Sequence, residues 1–245
     1  MQQKSNDFLG TERISKLLLR LAVPTVVAQL INMLYNIVDR IYIGHIRDIG
    51  SLALTGVGVC MPLIMIVSAF ACLVSSGGAP RSSIFLGKGD TESAQKALNN
   101  CFSALLILSV VLTEVLFFLN EPLLLLFGAS ENTIGYAVDY MNIYALGTIF
   151  VQMTLGMNSF ITAQGYTSVS MVSVVIGAVS NIILDPIFIF ACNMGVKGAA
   201  LATILSQALS CIWVLRFLTG DRSVLRLQKQ YMRLEAKVIL PCMAL

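Results

Sequence analysis

Charge is scarce in this sequence. Only 12% of its 245 residues are Asp, Glu, Lys or Arg, about half the ~25% of an ordinary soluble domain. Histidine occurs once, as His45. The cysteines Cys60, Cys72, Cys101, Cys192, Cys211 and Cys242 stand singly, with no CxxC pair. That pattern excludes a zinc or redox centre and leaves them as small apolar packing residues. No GxSxG or HExxH motif is present, and LGKGD lacks the GxxxxGK[ST] spacing of a phosphate-binding loop. The chain therefore reads as no enzyme and as needing no cofactor. The N-terminal stretch MQQKSNDFLGTERISKLLLR is polar and lacks a small-residue cleavage site after a short apolar core, so the first hydrophobic segment reads as retained.

What the sequence has is long apolar runs. Hydrophobic residues make up 57% of the chain, and Ile49 to Pro80 carries no charge. A buried α/β core would instead show short runs between polar turns. The reading is an all-α integral membrane protein with six spans, near 18–44, 52–76, 97–119, 134–158, 168–192 and 198–219, each long enough for a bilayer core of about 30 Å. A tail over 1–17 precedes them. An amphipathic basic connection over 220–235 leads into a short apolar stretch, 236–245, that reads as the start of a truncated seventh span.

Lys4, Arg13, Lys16 and Arg20 precede the first span; Arg81, Lys88 and Lys96 crowd the second connection; and six bases from Arg216 to Lys237 crowd the sixth. By the positive-inside rule these regions are cytoplasmic, which gives a multi-pass protein of the cell membrane with its N-terminus inside. The basic tail reads as an anchor on anionic lipid, with the bilayer as partner and no nucleic acid. Connections should contain turns and caps: Gly87, Gly89 and Asp90 break the second, with Asp90 or Thr91 capping the next helix, while Pro122 stops the third span and Ser130 caps the fourth.

The first span, LAVPTVVAQLINMLYNIVDRIYIG, has Pro24 near its start and Asp39 near its end. Gln29, Asn32, Asn36 and Asp39 recur at spacings of three and four, a single helix face turned towards protein or water. In the fifth span Asn181 and Asp185 are four apart, and Pro186 frees a carbonyl one turn earlier. Counted from the outer span ends, Asp39, Asp185 and Thr203 share a depth of roughly 7 to 10 Å. Two carboxylates, an amide and a hydroxyl at one depth suit a proton or a hard cation such as Na⁺. The alternative is that Asp39 pairs with Arg40 or an amide and only fixes packing, although adjacent helical residues diverge. Glu114 and Asp139 are further acids, without an assigned role.

LAVPTVVAQL with the aspartate of IVDRIYIG, the FLGKGD connection, and SNIILDPIFIF followed by GVKGAALAT together resemble the multidrug and toxic-compound extrusion (MATE) family. The resemblance implies the N-terminal lobe of a twelve-helix transporter, coupled to H⁺ or Na⁺. It implies a cation site at Asp39, Asn181, Asp185 and Thr203, with Pro24 as the point where the first span bends. A cavity for small amphipathic, often cationic compounds would be lined by Gln29, Asn32, Met33, Tyr35, Asn36 and Asn158, with Met157 nearby. The lobe would need the C-terminal lobe or a second half-transporter chain. A flippase of lipid-linked oligosaccharide and a truncated non-transporting fragment are the alternatives; basic lining residues would favour the flippase.

Overall fold

In the computed structural model, residues 13–243 are described; most of the tail 1–17 and the last two residues lie outside that range. Among the described residues, six helices are long and apolar enough to cross a membrane. They are α1 (Ile14–Gly44), α2 (Gly50–Gly87), α3 (Thr91–Leu126), α4 (Ile134–Ala163), α5 (Thr167–Pro186, continued by a π-turn at Ile187–Ala191) and α6 (Val196–Thr219). A short helix, α7 (Ala236–Met243), closes the described chain.

α4 is the centre, packed on α2, α3 and α6, while α5 leans on α6. α1 rests chiefly on α5 and touches α2 and α6 only lightly. Accordingly Asp39 and Ile43 are the only buried residues of α1. Two apolar clusters fill the bundle, one around Ile43, Val57, Met141 and Ile189, the other around Val74, Leu98, Phe160 and Leu218. Beside them, polar side chains of α1, α4, α5 and α6 form a layer, and the site lies there.

Two expectations need correction. α2 runs on through Pro80 and ends at Gly87, where the sequence places the break, but Pro122 does not stop α3, which continues to Leu126. A proline removes one helical hydrogen bond, and neighbouring helices that pack closely make this tolerable in a membrane bundle. Ser130 is not the α4 cap; Thr133 holds that position, and its hydroxyl accepts the Ser130 N–H at 3.0 Å. The connection after α6 is irregular apart from a single 3₁₀ turn at Lys229–Tyr231. Asp90 does cap α3, accepting the Ser93 N–H at 3.0 Å.

Pro186 shapes the other side of the bundle. It has no N–H to offer the carbonyl one turn back, and the chain beyond it widens, with Cys192 N–H reaching the Ile187 carbonyl at 2.8 Å. The start of α6 then lies directly against this turn. A Cβ on Gly198 would fall 2.7 Å from the Phe188 carbonyl carbon, so only glycine allows the approach.

Candidate functional site

The polar layer contains a cavity of about 260 Å³ between α1, α4, α5 and α6, with α2 on one wall. Along α4 its lining runs Tyr140, Tyr144, Val151, Thr154, Leu155 and Asn158, all on one face. α1 contributes Asn32, Tyr35, Asn36 and Asp39; α5 contributes Val174, Gly177, Ala178 and Asn181; α6 contributes Thr203, Ser206, Gln207 and Ser210. No lysine or arginine faces this cavity.

The acidic end is dry and crowded. Asp39 is 8% exposed, Asn181 1% and Asp185 fully buried. Asn181 Nδ2 donates to Asp185 Oδ1 at 3.3 Å, as their four-residue spacing on a helix requires. The two carboxyl groups lie within hydrogen-bonding reach of each other. Asp39 Oδ1, Asp185 Oδ2 and Asn181 Oδ1 are buried with no hydrogen-bond partner. Buried polar atoms are ordinarily satisfied, and an orphan signals a missing ligand or a catalytic role. Two carboxylates in contact inside an apolar bundle repel; a shared proton or a bound cation removes that repulsion. Thr203, half-buried, donates to the Ala199 carbonyl at 3.0 Å, and Tyr140 lines the same cavity. For a hard cation, the three orphan oxygens with the Thr203 hydroxyl are an all-oxygen set of suitable chemistry. Among the described residues no group of three or more His, Cys, Asp or Glu side chains gathers, which sets this site apart from a transition-metal centre.

The structure thus brings Asp39, Asn181, Asp185 and Thr203 together and places Asn32, Tyr35, Asn36 and Asn158 on the cavity wall. Asn36 Nδ2 donates to the Asn32 carbonyl at 2.7 Å, holding the α1 stripe in place. Gln29 and Met33 do not join them: both are exposed and outside the lining. Gln29 is nearly three turns before Asp39, and the accumulated rotation leaves it about 80° round the helix; Met33 is off by about 120°. Met157 is fully buried in the apolar cluster, away from the cavity. Pro24 lies inside a continuous α1. Glu114 is exposed on α3, and Asp139 pairs with Lys197 at 3.3 Å beside a second cavity of about 800 Å³.

Sequence reasoning missed Tyr140 and Tyr144, whose rings stack at 6.2 Å, and the α6 residues Ser206, Gln207 and Ser210. Counting back from Asn158 in steps of three and four would have reached both tyrosines. Gln152 and Asn142, polar and on the same helix, are spent elsewhere: Gln152 Nε2 donates to the Val67 carbonyl at 2.7 Å, and Asn142 Oδ1 accepts from Asn120 at 2.6 Å.

The family model described as MatE matches residues 24–187. The chain is 25% identical, over 225 residues, to the multidrug export protein MepA of Staphylococcus haemolyticus, covering 92% of this chain and 49% of that protein. It superposes with a TM-score of 0.89 at 23% identity on an outward-facing multidrug resistance MATE transporter, across 99% of this chain and 53% of the other. A MOP superfamily transporter from Pyrococcus furiosus, described as having a binding pocket of reversed polarity, superposes with a TM-score of 0.90 at 23% identity, over 99% and 53% of the two chains. The chain spans about half the length of the curated relatives it matches.

Proposed function

The chain belongs to the MATE family, and on that footing we propose that it forms the N-terminal lobe of a proton- or sodium-coupled multidrug antiporter that exports amphipathic, often cationic compounds. One observation carries the reading. Asp39 and Asn181 line one end of a polar cavity, Asp185 is held behind Asn181, and each of the three buried side chains leaves one oxygen without a hydrogen-bond partner. Asp39, Asn181, Asp185 and Thr203 hold the coupling ion, H⁺ or Na⁺. A bound ion favours one arrangement of α1 against α5, and a drug in the cavity favours the other. Export requires only that each ligand bind the two arrangements unequally. Because α1 is held mainly by α5, it is the element whose position the ion can bias, with Pro24 as the hinge.

Asn32, Tyr35, Asn36 and Asn158 supply amide and hydroxyl contacts to the drug, with Met61 and the tyrosine pair as adaptable apolar walls. The absence of lysine and arginine from that lining counts against an anionic, lipid-linked sugar as cargo. A second lobe, or a second chain, supplies the opposite wall. The N-terminus is cytoplasmic, in the cell membrane.

The test is drug accumulation in cells lacking their own exporters. The chain is expressed alone, together with a complementary second lobe, and in that pair with Asp39→Asn. Lowered accumulation in the wild-type pair and its loss in Asp39→Asn is the expected result. A pair that lowers accumulation equally well without Asp39 would remove the ion-coupling role from this site.

A further inference from the structure

A second group of buried polar side chains lies at the other end of the bundle: Gln95, Asn99 and Asn100 on α3 and Gln164 just after α4. All four grip the backbone of the connection that follows α6. Asn99 Nδ2 donates to the Arg226 carbonyl at 3.0 Å, and its Oδ1 accepts the Gln228 N–H at 2.8 Å. Asn100 repeats the arrangement with the Tyr231 carbonyl at 3.4 Å and the Glu235 N–H at 2.7 Å. Gln95 Oε1 accepts the Arg226 N–H at 3.1 Å, and Gln164 Oε1 accepts the Leu225 N–H at 2.9 Å. The Ser103 hydroxyl donates to the Met232 carbonyl at 2.7 Å. An irregular segment thereby has its backbone satisfied by side chains of the bundle instead of by a helix of its own. Leu225 anchors one side of it in the apolar cluster. Cys242 anchors the other, against Gly77 of α2, where a Cβ would overlap the Cys242 carbonyl.

With its backbone turned inward, the segment leaves its long cations outside. Arg222, Lys229, Arg233 and Lys237 are exposed, and among the described residues none of them has an ion pair. The neighbouring cations are already matched: Arg226 to Asp221 at 2.8 Å and Lys96 to Glu92 at 2.9 Å. Glu235 is the remaining acid within the segment. Tyr166, Trp213 and Tyr231 lie at the same level, Tyr166 donating to the Arg222 carbonyl at 3.0 Å and Trp213 to that of Val169 at 3.3 Å. Aromatic side chains with a polar tip mark headgroup depth in membrane proteins.

We propose that residues 221–237 are a clipped platform presenting Arg222, Lys229, Arg233 and Lys237 as a preformed binding surface for anionic phospholipid headgroups. Cations on a loose chain lose conformational freedom when they gather round a phosphate; here the backbone is ordered beforehand, so less is lost on binding. The platform is independent of what the cavity transports.

The purified 245-residue chain is titrated with phosphatidylglycerol and with phosphatidylcholine in mixed micelles, and bound lipid is counted by native mass spectrometry. The wild type is expected to prefer phosphatidylglycerol at least tenfold at low salt, with the preference shrinking as salt is added. Replacing Arg222, Lys229, Arg233 and Lys237 by Gln should abolish it. Asn99→Leu with Asn100→Leu keeps every cation but frees the backbone, and should lower the preference several-fold while amide exchange over 225–228 accelerates. Equal binding of the two lipids by the wild type, or an undiminished preference in either variant, overturns the proposal. Should the Asn variant fail to fold, exchange in the wild type decides: slow amides at Leu225, Arg226, Leu227 and Gln228 support the clip, and free-chain rates sink it.

Discussion

Asn99 and Asn181 are the same residue type, both buried, on two helices of one bundle, and they are used in opposite ways. Asn99 is saturated: its Nδ2 reaches the Gln95 and Arg226 carbonyls and its Oδ1 takes the Gln228 N–H. Asn181 spends its amide on Asp185 and leaves Oδ1 bare beside two further bare carboxylate oxygens. The first arrangement is finished by the protein alone. The second leaves three buried oxygens without a partner. These two asparagines thus differ in their partners, not in their burial.

The largest effect should come from the unfinished end. Asp39→Asn or Asp185→Asn is expected to reduce ion-coupled export to background, read as drug accumulation, with the chain no less stable to heating than the wild type. If these variants instead unfold the chain, the two ends do not differ as argued. The converse variant, Asn99→Leu, should leave the Gln228 N–H and the Arg226 carbonyl without partners at about 1 to 3 kcal/mol each. A lower midpoint in thermal unfolding, with the acidic site untouched, is the expected signature.

A third variant asks whether the acidic end depends on local shape. Gly198→Ala puts a Cβ against the Phe188 backbone, and overpacking of this kind costs about 1 to 3 kcal/mol. It should also disturb the turn that follows Asp185, visible as a weaker stabilisation of the purified chain by Na⁺ or by lowered pH. The smallest effect belongs to Asp90, exposed at the start of α3. The Ser93 hydroxyl and N–H hold its carboxyl below the usual carboxylate range. Its contribution is present above that range and disappears as pH falls through the lowered value, so Asp90→Ala should flatten only the acid limb of a stability profile.

Much of this was legible beforehand, for identifiable reasons. Six spans follow from runs too long and too free of charge to be anything else. Asp39, Asn181, Asp185 and Thr203 could be matched because depth along a helix is a simple count of residues. The lateral picture was harder. Gln29 reads as inward because spacings of three and four drift round a helix over several turns, and nothing in a sequence says which arc the neighbours cover; Met33 enters only with the cavity that the resemblance implies. Tyr140 and Tyr144 were passed over since aromatics are ordinary core residues. The clip at Gln95, Asn99, Asn100 and Gln164 lay out of reach, for it joins side chains to backbone 61 to 135 positions away, a pairing that leaves no local pattern.

The widened turn after Pro186 has one more consequence, for how relatives should be lined up against this chain. A turn closed at the fifth residue instead of the fourth contains one residue more than regular helix needs. A relative without that proline can drop a single residue between Ile187 and Ala191 and still present its aspartate at the same place. Every position beyond then shifts by one in number but not in space. An alignment that refuses a gap there would set Gly198 opposite the wrong neighbour and make a shared contact look like a substitution.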